Sequence, residues 1–229
     1  MKCAIMQPTY FPWAGYFHLI EESDKFVFLN DVQYVKGSWH SRNFIIVNNE
    51  KYKLTVPTKK SSLSTSIMSK FVDSSNNWQK KQAKIIFQAY SKHPFIEDLK
   101  QLIFFFEELK FQNLSELNIE IIKFISKKLN LKTKFFNSNN FDIIDKRTVK
   151  VIKILNKINA TTYLSPEGSK KYLKDDKFEE STDIKLLFNT YQSMDYKQKN
   201  QKKFIANLSI IDVIANLGWI NTETYVKKK

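Results

Sequence analysis

Glycine, cysteine and arginine are scarce in this chain, and each shortage removes a class of function. Four glycines, Gly15, Gly37, Gly168 and Gly218, stand among 229 residues. Neither G-x-x-x-x-G-K-S/T nor G-x-G-x-x-G can be written anywhere, which excludes the P-loop and the dinucleotide fingerprint. A single cysteine, Cys3, excludes an internal disulfide framework and a thiolate zinc site and fits a reducing compartment. Lying in an apolar run, it reads as a buried structural residue. Arginine occurs only at Arg42 and Arg147, in a chain of formal charge +14. Proteins that read nucleic-acid sequence use guanidinium forks on base edges, so a charge carried almost wholly by lysine speaks against a nucleic-acid partner. The three histidines, His18, His40 and His93, show no ligand spacing, and no metal is expected. The longest apolar run, residues 102–106, is far below the ~20 residues of a membrane span. Gln7, Pro8 and Pro12 interrupt the N-terminal apolar run before it could serve as a signal sequence, so the expected location is cytoplasmic.

Aromatic residues are plentiful, at 14% of the chain with 19 Phe and 10 Tyr, which is the composition of a folded core rather than of disorder. Lys2 to Met6 and Lys25 to Leu29 read as buried strands, with Trp13, Phe17 and Ile20 at helical spacing between them. Such a strand-helix-strand unit closes as a parallel right-handed crossover, with its ligand site beyond the strand carboxyl ends. Arg42 to Val47 and Lys51 to Pro57 flank the polar turn Asn48-Asn49-Glu50 and predict a β-hairpin. Apolar stripes predict helices over Trp78 to Ser91, Ile96 to Leu109 and Leu114 to Leu129. Thr133 to Phe136, Thr161 to Leu164 and Ile184 to Phe188 read as strands and Val149 to Ile158 as a helix. A last helix starts at Ser209, its N-cap, and ends at Gly218. The expected fold is α/β: a central, mostly parallel sheet beginning with a strand-helix-strand unit, a β-hairpin insertion and a helical middle block. It forms one domain over 1–229, made of a strand-helix-strand and hairpin part (1–75), a helical layer (76–132) and a C-terminal α/β part (133–229).

The segment from Met6 to Phe17 (Met-Gln-Pro-Thr-Tyr-Phe-Pro-Trp-Ala-Gly-Tyr-Phe) crowds prolines, aromatics and an amide into one connection. Prolines stiffen the loop, and Tyr10, Trp13 and Tyr16 offer stacking faces with a polar tip, as a sugar or base site needs. The same rings could instead plug the top of the sheet. After the second strand come Asp31, Gln33, His40, Arg42 and Asn43. If the two strands are parallel neighbours, Gln7 and Asp31 open onto one crevice, with Asp31 as a base and Gln33 and Asn43 as hydrogen-bonding groups. Arg42 fits a phosphate or carboxylate by its planar fork, or else pairs with Asp31. His40 is expected to titrate near neutrality.

Ile-Met-Gln-Pro-Thr-Tyr-Phe-Pro-Trp-Ala-Gly-Tyr-Phe, then Phe-Val-Phe-Leu-Asn-Asp-Val-Gln-Tyr and Ser-Trp-His-Ser-Arg-Asn, resemble the opening of the WbqC-like family of bacterial proteins. Asp145 to Thr148, Thr162 to Leu173 and Leu208 to Val213, with Asn216 and Gly218, resemble its later blocks in the same order. The pattern departs from the family's where Asn30 stands for a second acidic residue, Pro166-Glu167 for a more glycine-rich turn, and Ala206 for a proline. What the resemblance implies is a role in surface polysaccharide (O-antigen, lipopolysaccharide) biosynthesis. In concrete form that is a transferase moving an acyl or aminoacyl group to the amine of a nucleotide-linked amino sugar. Asp31 or His40 would take the proton, and Gln7 or Asn43 would face the oxyanion. Arg42, Lys146 and Arg147 would hold diphosphate. Ser165 and Gly168, at the start of a short helix that carries Tyr172, would add contacts to the substrate. ATP is the one cofactor to test, because it could activate the acyl donor as an adenylate. The alternatives are a non-catalytic sugar-nucleotide-binding protein of the same pathway and a basic nucleic-acid-binding protein.

Overall fold

Strand β1 (Lys2–Met6) and strand β2 (Lys25–Phe28) pair in parallel, with Cys3 opposite Lys25 and Met6 opposite Phe28. Helix α1 (Ala14–Glu21) connects them; the structure is a computed structural model that describes residues 1–228. Side chains alternate along both strands as the pleat requires. Ala4, Phe26 and Phe28 enter one core and Cys3, Ile5 and Val27 the other. Burial pushes the Cys3 thiol up to about 12, which makes it an inert core residue.

β3 (Arg42–Val47) and β4 (Glu50–Thr55) form a separate antiparallel hairpin. Its turn is two residues rather than three. Asn48 and Asn49 take φ of 51° and 67°, the left-handed pair that a tight primed turn needs and that asparagine tolerates. The connection then runs through α2 (Trp78–Tyr90), α3 (Ile96–Glu108) and α4 (Leu114–Lys128) before the sheet resumes. Asn113 caps α4 by accepting from the Glu116 N–H, while Glu116 reaches back to the Gln112 N–H.

β5 (Lys134–Asn137), β6 (Thr162–Pro166) and β7 (Lys185–Asn189) complete a parallel sheet of order β5-β2-β1-β6-β7. The chain winds outward from β1 through β2 to β5, then crosses back to β6 and β7. Right-handed crossovers therefore place α1 and the helical block on one face. On the other lie α5 (Arg147–Lys157), α6 (Lys170–Asp175) and α7 (Phe178–Ser181), whose Val151, Ile154, Leu173 and Phe178 pack with Cys3 and Val27. The winding reverses between β1 and β6, and in doubly wound sheets ligands bind outside the carboxyl ends of the strands at that reversal.

The last helix, α8 (Ile210–Lys227), does not end at Gly218; it kinks there and continues. Gly218 takes φ 72°. A side chain at that position would meet the Phe95 ring and the Asp98 carboxylate, and Asp98 restarts the helix by accepting the Trp219 N–H at 2.8 Å. The residue that usually closes a helix here only breaks it, because α3 supplies the missing acceptor. The first turn of α8 holds Asp212, a buried carboxylate that accepts from Tyr90, Tyr196 and Gln198. Burial raises its pKa, and three neutral donors, rather than a cation, offset its desolvation. Among the described residues no helix is long and apolar enough to cross a membrane.

Candidate functional site

Gln7 is the first residue beyond β1, and its position at the reversal makes its partners decisive. His40 lies 3% exposed and places Nε2 2.9 Å from Gln7 Oε1. Its Nδ1 accepts from the Val35 N–H, so the ring is the neutral tautomer with the proton on Nε2. Burial lowers the His40 pKa to about 4, so the expected titration near neutrality does not occur. The imidazole fixes the Gln7 amide, whose N–H₂ donates to no protein group among the described residues. It is a donor pair held in place without an acceptor.

Three elements support this couple. Tyr16 in α1 donates its hydroxyl to the Gln7 carbonyl at 3.0 Å. Asn118, in α4 and fully buried, donates to the Pro8 and His40 carbonyls. Asn43 in β3 donates to the Tyr10 and Phe11 carbonyls, so both its amide hydrogens are committed to the proline loop. Asn43 is therefore a brace with no hydrogen left for a ligand. Tyr10 likewise turns its ring into the core and gives its hydroxyl to Gln82, so it offers no stacking face. Gln33 donates to the Leu63 carbonyl, in the segment between β4 and α2.

Beside Gln7 a cleft of about 280 Å³ opens at the carboxyl end of β1, lined by Met6, Thr9, Trp13, Tyr16, Trp39 and Asn207 among others. Trp39 is 52% exposed and Trp13 partly so, giving two indole walls with a few hydroxyl and amide groups between them, a lining suited to a ring-shaped ligand with polar edges. Of the three aromatics expected to stack, Trp13 and Tyr16 reach the cleft. Trp13 sits over Gly15 so closely that an added Cβ would lie 2.4 Å from its indole carbons. Gly15→Ala should push the Trp13 ring into the cleft and cost about 1–3 kcal/mol, as overpacking does. Thermal unfolding reads that loss, and quenching of tryptophan fluorescence reads the closed cleft.

Asp31 stands at the end of β2, but its cation is not Arg42. Its Oδ2 pairs with Lys150 Nζ at 2.7 Å and its Oδ1 accepts from Ser138 at 2.5 Å. The Lys150 side chain is 7% exposed and gives a second hydrogen to the Ile143 carbonyl. The pair ties β2 to α5 across the carboxyl edge. Arg42 carries no ion pair among the described residues, and its Nε is buried without a hydrogen-bond partner.

The later block is arranged differently from its expected phosphate-holding role. Arg147 makes a bidentate bond to Asp176, at 2.7 and 2.9 Å, and Thr148 adds a third. The Arg147 hydrogen bonds hold the Asp176 carboxyl down at about 2. The Asp176 carboxylate takes the Nε and Nη2 fork that would otherwise face a phosphate and offsets the Arg147 charge. Lys146, exposed, stays beside it on a shallow surface. Ser165 and Ser169 bond to each other, and Gly168 has open space where a Cβ would stand, so no close backbone approach requires a glycine there. Tyr172 is half-buried on α6, with burial raising its pKa.

Sequence reasoning missed Lys150, Ser138, Asn118 and Lys70. Lys150 carried a signal, since it lies four residues before Ile154 on the buried stripe of α5. A lysine on an apolar stripe announces a buried anionic partner. Asn118 carried the same kind of signal, lying among Leu114, Leu117, Ile121 and Ile122 on the buried stripe of α4, whereas nothing local sets Lys70 apart from the lysines around it.

The chain matches the WbqC-like protein family over residues 7–224. It is 30% identical over 220 residues to the uncharacterized protein Rv1507c of Mycobacterium tuberculosis, covering 95% of this chain and 94% of that protein. No solved structure matches it. The ordered blocks on β1, β2, β6 and α8 and the match along nearly the whole chain agree: the chain belongs to the WbqC-like family.

Proposed function

We propose that the chain binds a nucleotide-linked amino sugar at the carboxyl edge of its sheet and transfers an acyl or aminoacyl group to the sugar's amine, as a step of surface polysaccharide biosynthesis. The observation that carries this reading is the Gln7–His40 couple beside the tryptophan-walled cleft. The cleft suits the ring of a sugar or base. The Gln7 amide hydrogens, fixed by a histidine that stays neutral, suit the oxyanion that develops as the amine attacks the acyl carbon of an activated donor and that collapses by breaking the acyl bond to the donor's leaving group. His40 is here a positioning residue. Asp31, whose side chain remains 19% exposed, is the carboxylate at this edge that would receive the amine proton.

One observation favours a second reading, a sugar-nucleotide-binding protein without catalysis: Asp31 is already held by Lys150 and Ser138, which weakens it as a base. A thermal-shift screen against UDP-, dTDP- and GDP-linked amino sugars and ATP tests both. A ligand at about 100 times its dissociation constant adds nearly 3 kcal/mol of apparent stability. A sugar-nucleotide hit followed by acylated product in mass spectrometry, reduced at least about tenfold in Gln7→Ala, supports transfer. A hit without product under any acyl donor, with or without ATP, supports the binding protein. No sugar-nucleotide shift at all overturns both.

A further inference from the structure

Four lysines meet on the other side of the same loop, and no carboxylate lines their pocket. A pocket of about 440 Å³ is lined by Tyr34, Lys36, Lys59, Lys60, Ser61 and Lys70, with Thr58, Ser62 and Leu63 completing it, so that no acidic side chain is in its wall. Lys70 is 5% exposed. A buried ammonium ordinarily has an anion beside it. Lys70 instead donates to the Lys59 carbonyl and to Ser61 Oγ, the latter at 2.7 Å, and lies 5.0 Å over the Tyr34 ring. Neutral groups hold the cation at the pocket wall and leave its charge uncancelled. Asp73, the carboxylate that senses Lys59, is half-buried outside the pocket wall and accepts from the Ser75 N–H. Arg42, without an ion pair, has its guanidinium against Gly37, the neighbour of Lys36.

We infer that this pocket is a binding site for a phosphoryl or diphosphoryl group. Four ammonium groups with the hydroxyls of Thr58, Ser61 and Ser62 supply the charge and donors that a tetrahedral oxyanion takes. The pocket communicates with the cleft through one loop. Tyr34 and Lys36 stand on the pocket and Trp39 on the cleft, while His40 packs its ring 5.9 Å from that of Tyr34. Unlike Arg147, which pairs with Asp176, these lysines have no carboxylate in their pocket wall. The inference rests on the reading of a phosphate-bearing ligand given above, and names where its phosphates bind.

The test is titration calorimetry of the full chain with inorganic pyrophosphate, and separately with a UDP-linked amino sugar. Three variants accompany the wild type: Lys36→Ala with Lys60→Ala, both exposed; Lys70→Met; and Lys80→Ala with Lys84→Ala on α2, which changes the net charge equally. Pyrophosphate should bind the wild type and the α2 variant alike and weaken at least tenfold in the Lys36/Lys60 variant. Because Lys36 and Lys60 are exposed, that result stands even if Lys70→Met fails to fold. Absence of pyrophosphate binding at millimolar concentration, or equal weakening in the α2 variant, overturns the site. Pyrophosphate binding that needs the pocket lysines, with no binding of the UDP-linked sugar, keeps the site and overturns the proposed substrate. Sugar-nucleotide binding indifferent to those lysines does the reverse.

Discussion

Asp31→Ala is expected to destabilise the protein by about 3–5 kcal/mol, because it leaves the Lys150 ammonium buried against the Ile143 carbonyl with no carboxylate paired to it. In a chain of this size that corresponds to a fall in Tm of roughly 10 °C, read by calorimetry or circular dichroism. Asp31→Ala combined with Lys150→Met removes both charges and should recover most of the loss, since an apolar replacement of a buried pair is often neutral. The pair of measurements also protects the functional reading. Loss of turnover in the single variant alone would report a damaged edge. Loss of turnover in a stable double variant would report a missing base. A single variant as stable as the wild type would show that the Asp31–Lys150 pair does not hold β2 to α5.

The second large effect is a pH dependence. His40 has a folded-state pKa of about 4 against 6.5 for the free side chain, because burial disfavours its charged form. The unfolded chain therefore binds the proton first as pH falls. The stability that neutral His40 contributes is fully present above pH 6.5 and is lost as pH falls from 6.5 through 4, to a total of about 3 kcal/mol. Thermal unfolding of the wild type and His40→Gln between pH 7.5 and pH 4 isolates it, because both proteins carry the same carboxylates. The wild type should lose about 3 kcal/mol more than the variant across that window. Parallel curves would show that His40 is not held neutral, and with it the fixed orientation of Gln7 would fall.

Local pattern in the sequence revealed much of this architecture. The strands β1 and β2, the helix between them and their parallel pairing follow from short apolar runs around a helical stripe, and the same alternation returns in β6 and β7. The family resemblance, carried by ordered blocks, extends along nearly the whole chain. That Gln7 and Asp31 each follow one of two parallel neighbouring strands was legible from those runs. The chemistry of Asp31 was not legible, because it depends on Lys150 and Ser138, more than 100 residues distant. Tyr10 illustrates the same limit: its loop position suggests a stacking face, and only the packing of α2, which brings Gln82 to its hydroxyl, turns it inward. The lysine pocket lay hidden for the opposite reason. In a chain of charge +14, nothing local distinguishes Lys70 from the solvated lysines around it.

Hydrogen–deuterium exchange with and without the best-stabilising sugar nucleotide tests the account most directly, because it asks the whole chain where a ligand sits. The account predicts protection in residues 7–13 at the cleft, in 34–41 on the shared loop and in 58–63 at the lysines, with 146–149 and 170–176 unchanged. Protection confined to 146–176, around Arg147 and Ser165, would contradict it and return the ligand to the edge that Asp176 now occupies.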